Sequence, residues 1–341
     1  MPAEWELHEA TWMTWPHNPE TWPGYSLEEV ETVYLEMIRP LVEAEHVHLL
    51  VNDESMEQRA RRMIEENQIP LDKVSFHTIP TNDSWIRDYG PNFISRETES
   101  GGNEVAANVW QFDSWGGKYP ADLDGRAAGK IAEKMKFRHF LPAIVLEGGA
   151  IDVNGRGTCL TTEQCLLNEN RNGGKTWQEM ETLLQDYLGV RQVIWCKGEL
   201  EGDDTDGHID NLARFVNSRT VLCVWDEDTT DPNHACMKEN LEILGSAQDQ
   251  EGRPLEVVKL PTPGKVVKDG QRLPASYANF YIGNAAVLVP VFDHPNDALA
   301  CDILSRFFPD RRVVPIPGKV LATGLGGPHC LTQQQPIQFD F

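Results

Sequence analysis

The chain has 341 residues, with 30 Lys and Arg against 53 Asp and Glu and a formal net charge of −23. That balance argues against a nucleic-acid backbone as partner, which needs clustered basic charge, and favours small cations drawn in by a negative field. A hydrophobic fraction of 40% with 24% charged residues is that of a folded globular protein, and no stretch approaches the ~20 apolar residues that span a bilayer. The opening MPAEWELHEA has neither a basic leader nor an apolar run. Seven cysteines, odd in number and without paired close spacing, read as reduced thiols; both features point to the cytoplasm.

The first element predicted is a helix. Ser26 and Glu29 make a capping box, and Val30, Val33, Tyr34, Met37, Ile38 and Leu41 share one face at helical spacing. Pro40 should end or kink it, and His46 to Val51 reads as a strand. A helix from about Met56 to Glu66 leads to a strand from Val74 to Ile79. Four similar units follow, each a polar-rich strand, a turn, an apolar strand, a helix and a short strand. The turns fall at Gly101-Gly102, Asn154-Gly155, Asn217-Ser218 and Gly283-Asn284, the last of them between Ser276 and Phe292. The helices run to about Phe137, from Trp177 to Leu188, from Ala235 to Leu244 and from Asp297 to Phe307. With the N-terminal segment the count is about five units. The pattern predicts one α/β domain over residues 1–341, a five-fold pseudosymmetric α/β propeller with unit openings facing a common centre. A doubly wound sheet would show longer βαβ alternation and fewer hairpins.

Polar residues stand at the opening strands of these units: Asp83 and Asp88 in NDSWIRDYGP, Glu147 in LEGGAIDV, His208 and Asp210 in GDDTDGHIDN, and Asn279 in SYANFY. Cys330 follows in GLGGPHCLTQQQP. Asp88, Glu147, His208, Asn279 and Cys330 lie 59, 61, 71 and 51 residues apart, one per unit, and so converge on the expected centre. A thiol becomes a nucleophile as thiolate and needs a base or a cation nearby, which His208 supplies, with Glu147 to orient the ring. Asp88 and Asp210 are then spare carboxylates, suited to the paired N–H donors of a guanidinium. Thiol attack on the guanidinium carbon with loss of ammonia uses every member of the set. Trp85 offers an aromatic wall for an aliphatic-cationic chain, or simply packs. Trp5, Trp12, Trp15 and Trp22 read as core or ring closure, and the other six cysteines as small buried hydrophobes.

One competing pattern lies in the same region. Asp206-Gly207-His208-Ile209-Asp210 and the Asp226 to Pro232 run resemble the two ligand motifs of the manganese ureohydrolases, which release urea. Only 18 residues separate His208 from Asp226, whereas those enzymes place a long stretch between the motifs, so the metal reading is set aside.

TNDSWIRDYGP, LEGGAIDVNGRGT, GHIDN, SYANFY and HCLTQQQP, with the opening EATWMTWPHNPETWPG, resemble the agmatine deiminase family, grouped with the bacterial-type peptidylarginine deiminases. The resemblance runs from about Glu9 to Pro336. It implies a five-fold α/β propeller with no metal and no organic cofactor. It also implies Cys330 as nucleophile, His208 as general acid and base, Glu147 as its orienting group, and Asp88 and Asp210 on the guanidinium. The substrate implied is agmatine, a small cationic guanidine, with putrescine synthesis downstream; a peptidyl or free arginine is the alternative. Asp83 is a candidate for the distal ammonium or a turn residue, and Asn279 a candidate substrate contact. Pro328, two residues before the cysteine, departs from the family's Gly-rich segment and removes a backbone donor there. No nucleic-acid or membrane partner is expected, and the sequence leaves the oligomeric state open, a homo-oligomer included.

Overall fold

The computed structural model describes residues 1–99 and 101–339. Helix α1 (Leu27–Leu41) starts where Ser26 accepts from the Glu29 amide while the Glu29 carboxylate accepts from the Ser26 amide. It buries Val30, Val33, Tyr34, Met37, Ile38 and Leu41, the face the spacing predicts. Pro40 is tolerated because it falls in the last turn, and the helix stops one residue later. The parallel strands β1 (His8–Thr14), β2 (His46–Val51) and β3 (Val74–Thr78) form one sheet, with α2 (Glu54–Glu66) crossing between β2 and β3.

Four further three-stranded sheets follow one plan. They contain β4 (Asn92–Glu97), β5 (Asn103–Asn108) and β6 (Arg138–Phe140), with α3 (Ala127–Met135) before β6. Next come β7 (Asp152–Val153), β8 (Thr158–Thr162), α4 (Trp177–Leu188) and β9 (Gln192–Cys196). Then come β10 (Ala213–Phe215), β11 (Thr220–Trp225), α5 (His234–Ser246) and β12 (Glu256–Pro261). A small hairpin of β13 (Val267–Lys268) and β14 (Gln271–Arg272) precedes β15 (Tyr281–Ile282), β16 (Ala286–Val291), α6 (Asn296–Phe307) and β17 (Arg312–Pro317). In each unit the first two strands are antiparallel and the second pairs in parallel with the third. The hairpin turns fall at the positions read from sequence; at one, the Asn154 side chain accepts from the amides of Arg156 and Thr158.

The N-terminal sheet takes its antiparallel strand from elsewhere. β18 (Gln333–Pro336) pairs with β1, and Trp12 Nε1 donates to Gln335 Oε1 at 2.8 Å. The strand after Cys330 is thereby locked against the first strand of the chain. No sheet among the described residues exceeds four strands, so the doubly wound alternative does not hold. The architecture is a mixed α/β fold of small repeated sheets.

One expectation is corrected. The polar residues do not sit on the opening strands but on short turns just before them. Asp88 lies on a one-turn helix (Ile86–Tyr89), Glu147 and His208 cap the 3-10 turns Gly148–Ala150 and Ile209–Asn211, and Cys330 lies in the turn before β18. Arg87 is buried, donating to His329 O at 3.2 Å, Gln334 Oε1 at 2.8 Å and Glu4 Oε2 at 3.3 Å.

Candidate active site

The turns bring Asp88, Glu147, His208, Asp210, Asn279 and Cys330 together, all of them buried. The Arg87 amide donates to Cys330 O at 3.2 Å, tying the turn of Asp88 to that of the cysteine. Gly149 marks the point of convergence. A Cβ there would lie 2.5 Å from His208 Nδ1, 2.9 Å from Asp88 Oδ1 and 3.0 Å from Asp210 Oδ2, so no larger residue fits. Gly207 permits the approach of the histidine turn: its φ is +100° and an added Cβ would stand 2.6 Å from Gly198 Cα.

Asp88 is held through both oxygens. Oδ1 accepts from the Gly149 amide at 3.0 Å and Oδ2 from Trp115 Nε1 at 2.9 Å. Burial pushes its carboxyl up, His208 opposes this, and Asp210 and Glu147 add to it. His208 stands between carboxylates, with Nδ1 3.7 Å from Asp88 Oδ1 and Nε2 3.8 Å from Glu147 Oε2. These are ion-pair separations longer than hydrogen bonds, and both buried ring nitrogens lack a hydrogen-bond partner. Burial disfavours the charged ring, yet Asp88, Cys165 and Glu147 outweigh it and hold the imidazole well above its usual range. Glu147 is itself engaged by Arg171, whose Nε donates at 2.6 Å while Nη1 reaches Asp206 at 2.7 Å. Burial raises Glu147, but His208 and Arg171 bring it below the ordinary carboxylate range.

Cys330 Sγ lies 3.2 Å from Asn279 Nδ2, which donates to it, and 3.7 Å from Asp210 Oδ2. Burial pushes the thiol well above its usual range, with Asp210 and Asp88 adding to the shift. Asn279 Oδ1 accepts from the amides of His329 and Cys330 at 3.1 and 3.4 Å. Asn279 thus sits beneath the cysteine, bonded to both its sulfur and its amide.

A cavity of about 500 Å³ opens onto this cluster, lined by Cys330, Asp88, Trp85 and Trp115 among buried residues and reaching exposed Glu20 and Asp269. Its wall carries six carboxylates, Glu20, Asp83, Asp88, Asp124, Asp204 and Asp269, against Lys268, a balance that selects a cation. Lys268 Nζ is already engaged by Pro23 O and the Tyr25 ring. The sequence reads Asp83 as a distal-ammonium candidate or a turn residue. It lines the cavity, and it accepts from the Ser84 amide at 2.7 Å and Thr21 Oγ1 at 2.6 Å. Trp85 lines the wall and packs on Trp22, ring centroids 5.8 Å apart.

Sequence reasoning missed Trp115, Arg171, His329, Glu4 and Cys165. The Asp-Ser-Trp triplet at 83–85 recurs at 113–115, a signal that could have found Trp115. Ser114 and Trp115 both adopt left-handed backbone (φ 61° and 56°), a costly conformation for side-chain-bearing residues, and it brings the indole to Asp88. Cys165, read only as a core residue, lies with Sγ 3.6 Å from Glu147 Oε2. Among the described residues, Glu147, Cys165 and His208 are the set whose donor atoms gather within 4.8 Å, as a metal would need. Arg171 beside Glu147 places a fixed positive charge against a cation there. The carboxylates of the ureohydrolase-like pattern have other partners: Asp206 pairs with Arg171, Asp210 with His329, and Asp226 accepts from Thr262.

Fold and site together define a cysteine-centred pocket for a cation, built from repeated small sheets. Residues 1–336 match the family described as Porphyromonas-type peptidyl-arginine deiminase, and the chain belongs to that family. It is 37% identical to the agmatine deiminase of Pseudomonas aeruginosa, over 98% of this chain and 95% of the relative. Its fold matches the agmatine deiminase of Enterococcus faecalis with a TM-score of 0.89 and 32% identity, covering 98% and 95% of the two chains. It also matches a substrate-bound Cys-to-Ser variant of C. jejuni agmatine deiminase, with a TM-score of 0.86 and 31% identity over 100% and 96%.

Proposed function

We propose that this protein hydrolyses agmatine to N-carbamoylputrescine and ammonia through a covalent intermediate on Cys330. The observation that carries the reading is the convergence of a cysteine, a histidine and three carboxylates at the end of an acidic cavity. The names of its relatives support the substrate.

In the free protein the carboxylates around the sulfur favour the neutral thiol and those around His208 favour the imidazolium. A guanidinium lying against Asp88 and Asp210 neutralises them, and the thiol releases its proton as substrate binds. The thiolate attacks the guanidinium carbon and forms the C–S bond. His208 gives its proton to one amino group, the C–N bond breaks, and ammonia leaves a cationic thiouronium. Water adds to that carbon and passes a proton to His208. Collapse of the second adduct breaks the C–S bond, returns the thiolate and, after loss of the remaining proton, yields the ureido product. Trp115 and the Gly149 amide fix Asp88, and Arg171 fixes Glu147 behind the imidazole.

The same proposal takes the chain as one domain, with the five sheets arranged as a ring around the cluster. The antiparallel closure of β18 on β1 supports this, because it makes the N-terminal sheet repeat the pattern of the other four. No helix of the described residues is long and apolar enough to cross a membrane.

The test is ammonia release from agmatine, free arginine and a peptide ending in arginine, with Cys330→Ala alongside. Turnover should be fastest on agmatine and fall on the order of 10⁴-fold in the variant. Cys159→Ala and Cys301→Ala should retain it. Urea as product, or a tenth of the wild-type rate in Cys330→Ala, would overturn the reading.

A further inference from the structure

The two oxygens of Asp210 have different surroundings. Oδ2 accepts from His329 Nδ1 at 2.7 Å and is also the oxygen 3.7 Å from Cys330 Sγ. Oδ1 is buried and has no hydrogen-bond partner. On the far side of the imidazole, His329 Nε2 donates to Glu4 Oε2 at 2.9 Å. Each ring nitrogen therefore faces a carboxylate oxygen, an arrangement satisfied when both carry hydrogen. Glu4, 325 positions from His329, is saturated: Oε1 accepts from Arg214 Nη2 at 2.9 Å and the Ile282 amide at 2.8 Å, and Oε2 also faces Arg87 Nη2 at 3.3 Å. Glu4 and His329 are both buried.

We propose that Glu4 and His329 form a positioning pair that pins Asp210 through Oδ2, covers the oxygen facing the sulfur, and leaves Oδ1 to receive the substrate guanidinium. The inference rests on the guanidine reading of the site. It makes Asp210 a one-oxygen contact, where the sequence alone suggested a two-oxygen clamp. The physical gain is separation of two conflicting demands on one carboxylate. The guanidinium needs an ionised acceptor, while a nearby thiolate is destabilised by negative charge. An imidazole hydrogen placed on the oxygen nearest the sulfur screens the thiolate without removing the charge available to substrate.

Asp210 is faced by His329, His208 and Arg214, which favour its ionised form, and by Asp88, Asp203 and Cys330 on the other side of the balance. Burial raises its carboxyl, but the hydrogen bond and charge of His329, with His208 and Arg214 behind it, bring it below the usual range. Loss of the imidazole should therefore move Asp210 upward, so that it joins the raised Asp88 in setting the acid limb of activity and shifts that limb to higher pH.

The experiment uses His329→Gln, which leaves Glu4 paired with both arginines, and Glu4→Gln, each checked for folding by thermal unfolding. For each, kcat and KM for agmatine are measured across pH. Alkylation of Cys330 is followed in parallel with cationic chloroacetamidine and neutral iodoacetamide. Both reagents form the C–S bond with loss of halide and require no turnover, so this arm still reads Asp210 if no guanidine is hydrolysed. His329→Gln is expected to lower kcat/KM about 10- to 100-fold, to shift the acid limb to higher pH, and to reduce the preference for the cationic reagent. Glu4→Gln should move the same readouts in the same direction by a smaller factor. If both folded variants keep the wild-type acid limb and reagent preference, the pair has no positioning role. If Glu4→Gln lowers the melting temperature and moves neither readout, Glu4 is structural only and the pairing is overturned.

Discussion

The side-chain amide of Asn279 donates to the sulfur of Cys330 across 3.2 Å, while its carbonyl oxygen accepts from the Cys330 and His329 amides. One residue thus orients the turn that carries the cysteine and offers the sulfur a hydrogen for its anionic form. Asn279→Asp keeps the shape, removes the donor and adds a carboxylate facing the thiol. The expected result is a loss of kcat of about 10²-fold or more, with the pH dependence of Cys330 alkylation moved to higher pH. Wild-type alkylation kinetics in the variant would show that the amide does not stabilise the thiolate.

The pH profile of kcat/KM is expected to be a bell whose limbs belong to coupled groups. Asp88, raised by burial, must be ionised to hold a guanidinium, so activity should fall with decreasing pH from above the ordinary carboxylate range. His208, held above its usual range mainly by Asp88 against the effect of burial, must be protonated to release ammonia, so the alkaline limb should lie above that of a free imidazole. The same sign governs stability. The contribution of His208 is fully present below its unfolded value near 6.5 and is lost as pH rises through its raised folded value. Activity that stays flat from about pH 5 to 10 would exclude His208 as the proton carrier.

Gly149→Ala places a methyl group where three functional side chains meet. The methyl carbon would press on His208 Nδ1 and on the carboxylates of Asp88 and Asp210, and neither carboxylate can retreat without breaking a hydrogen bond described above. We expect kcat to drop at least about 100-fold, with a stability loss of about 1–3 kcal/mol typical of overpacking. The measurement is turnover alongside thermal unfolding, and a fully active Gly149→Ala enzyme would contradict the arrangement.

Asp83 lines the cavity with an oxygen bonded to Thr21 Oγ1 and its carboxyl raised by burial. If it meets the distal ammonium, Asp83→Asn should reduce kcat/KM for agmatine far more than for arginine. That would erode a discrimination of about 2–4 kcal/mol. Equal losses on both substrates would leave Asp83 its turn role alone.

What the sequence determined by itself is local. The capping box of Ser26 and Glu29, the helix Trp177–Leu188 and the Asn154-Gly155 turn were legible because the signals lie within a few residues of the backbone they shape. Cys330, His208, Asp88, Asp210 and Glu147 were legible as candidates because nucleophile, proton carrier and carboxylates are recognisable residue types recurring at a unit's spacing. Their orientation was decided by tertiary structure. Strand alternation cannot apply to residues placed on one-turn segments, and Asn279 lies under the sulfur because its turn packs on the one carrying Cys330. The partners that set their charges come from distant parts of the chain: Trp115 to Asp88, Arg171 to Glu147, and Glu4 through His329 to Asp210. A buried carboxylate must find a donor or a cation wherever the fold supplies one. Its need is written in the sequence, but the partner is chosen only when the sheets come together.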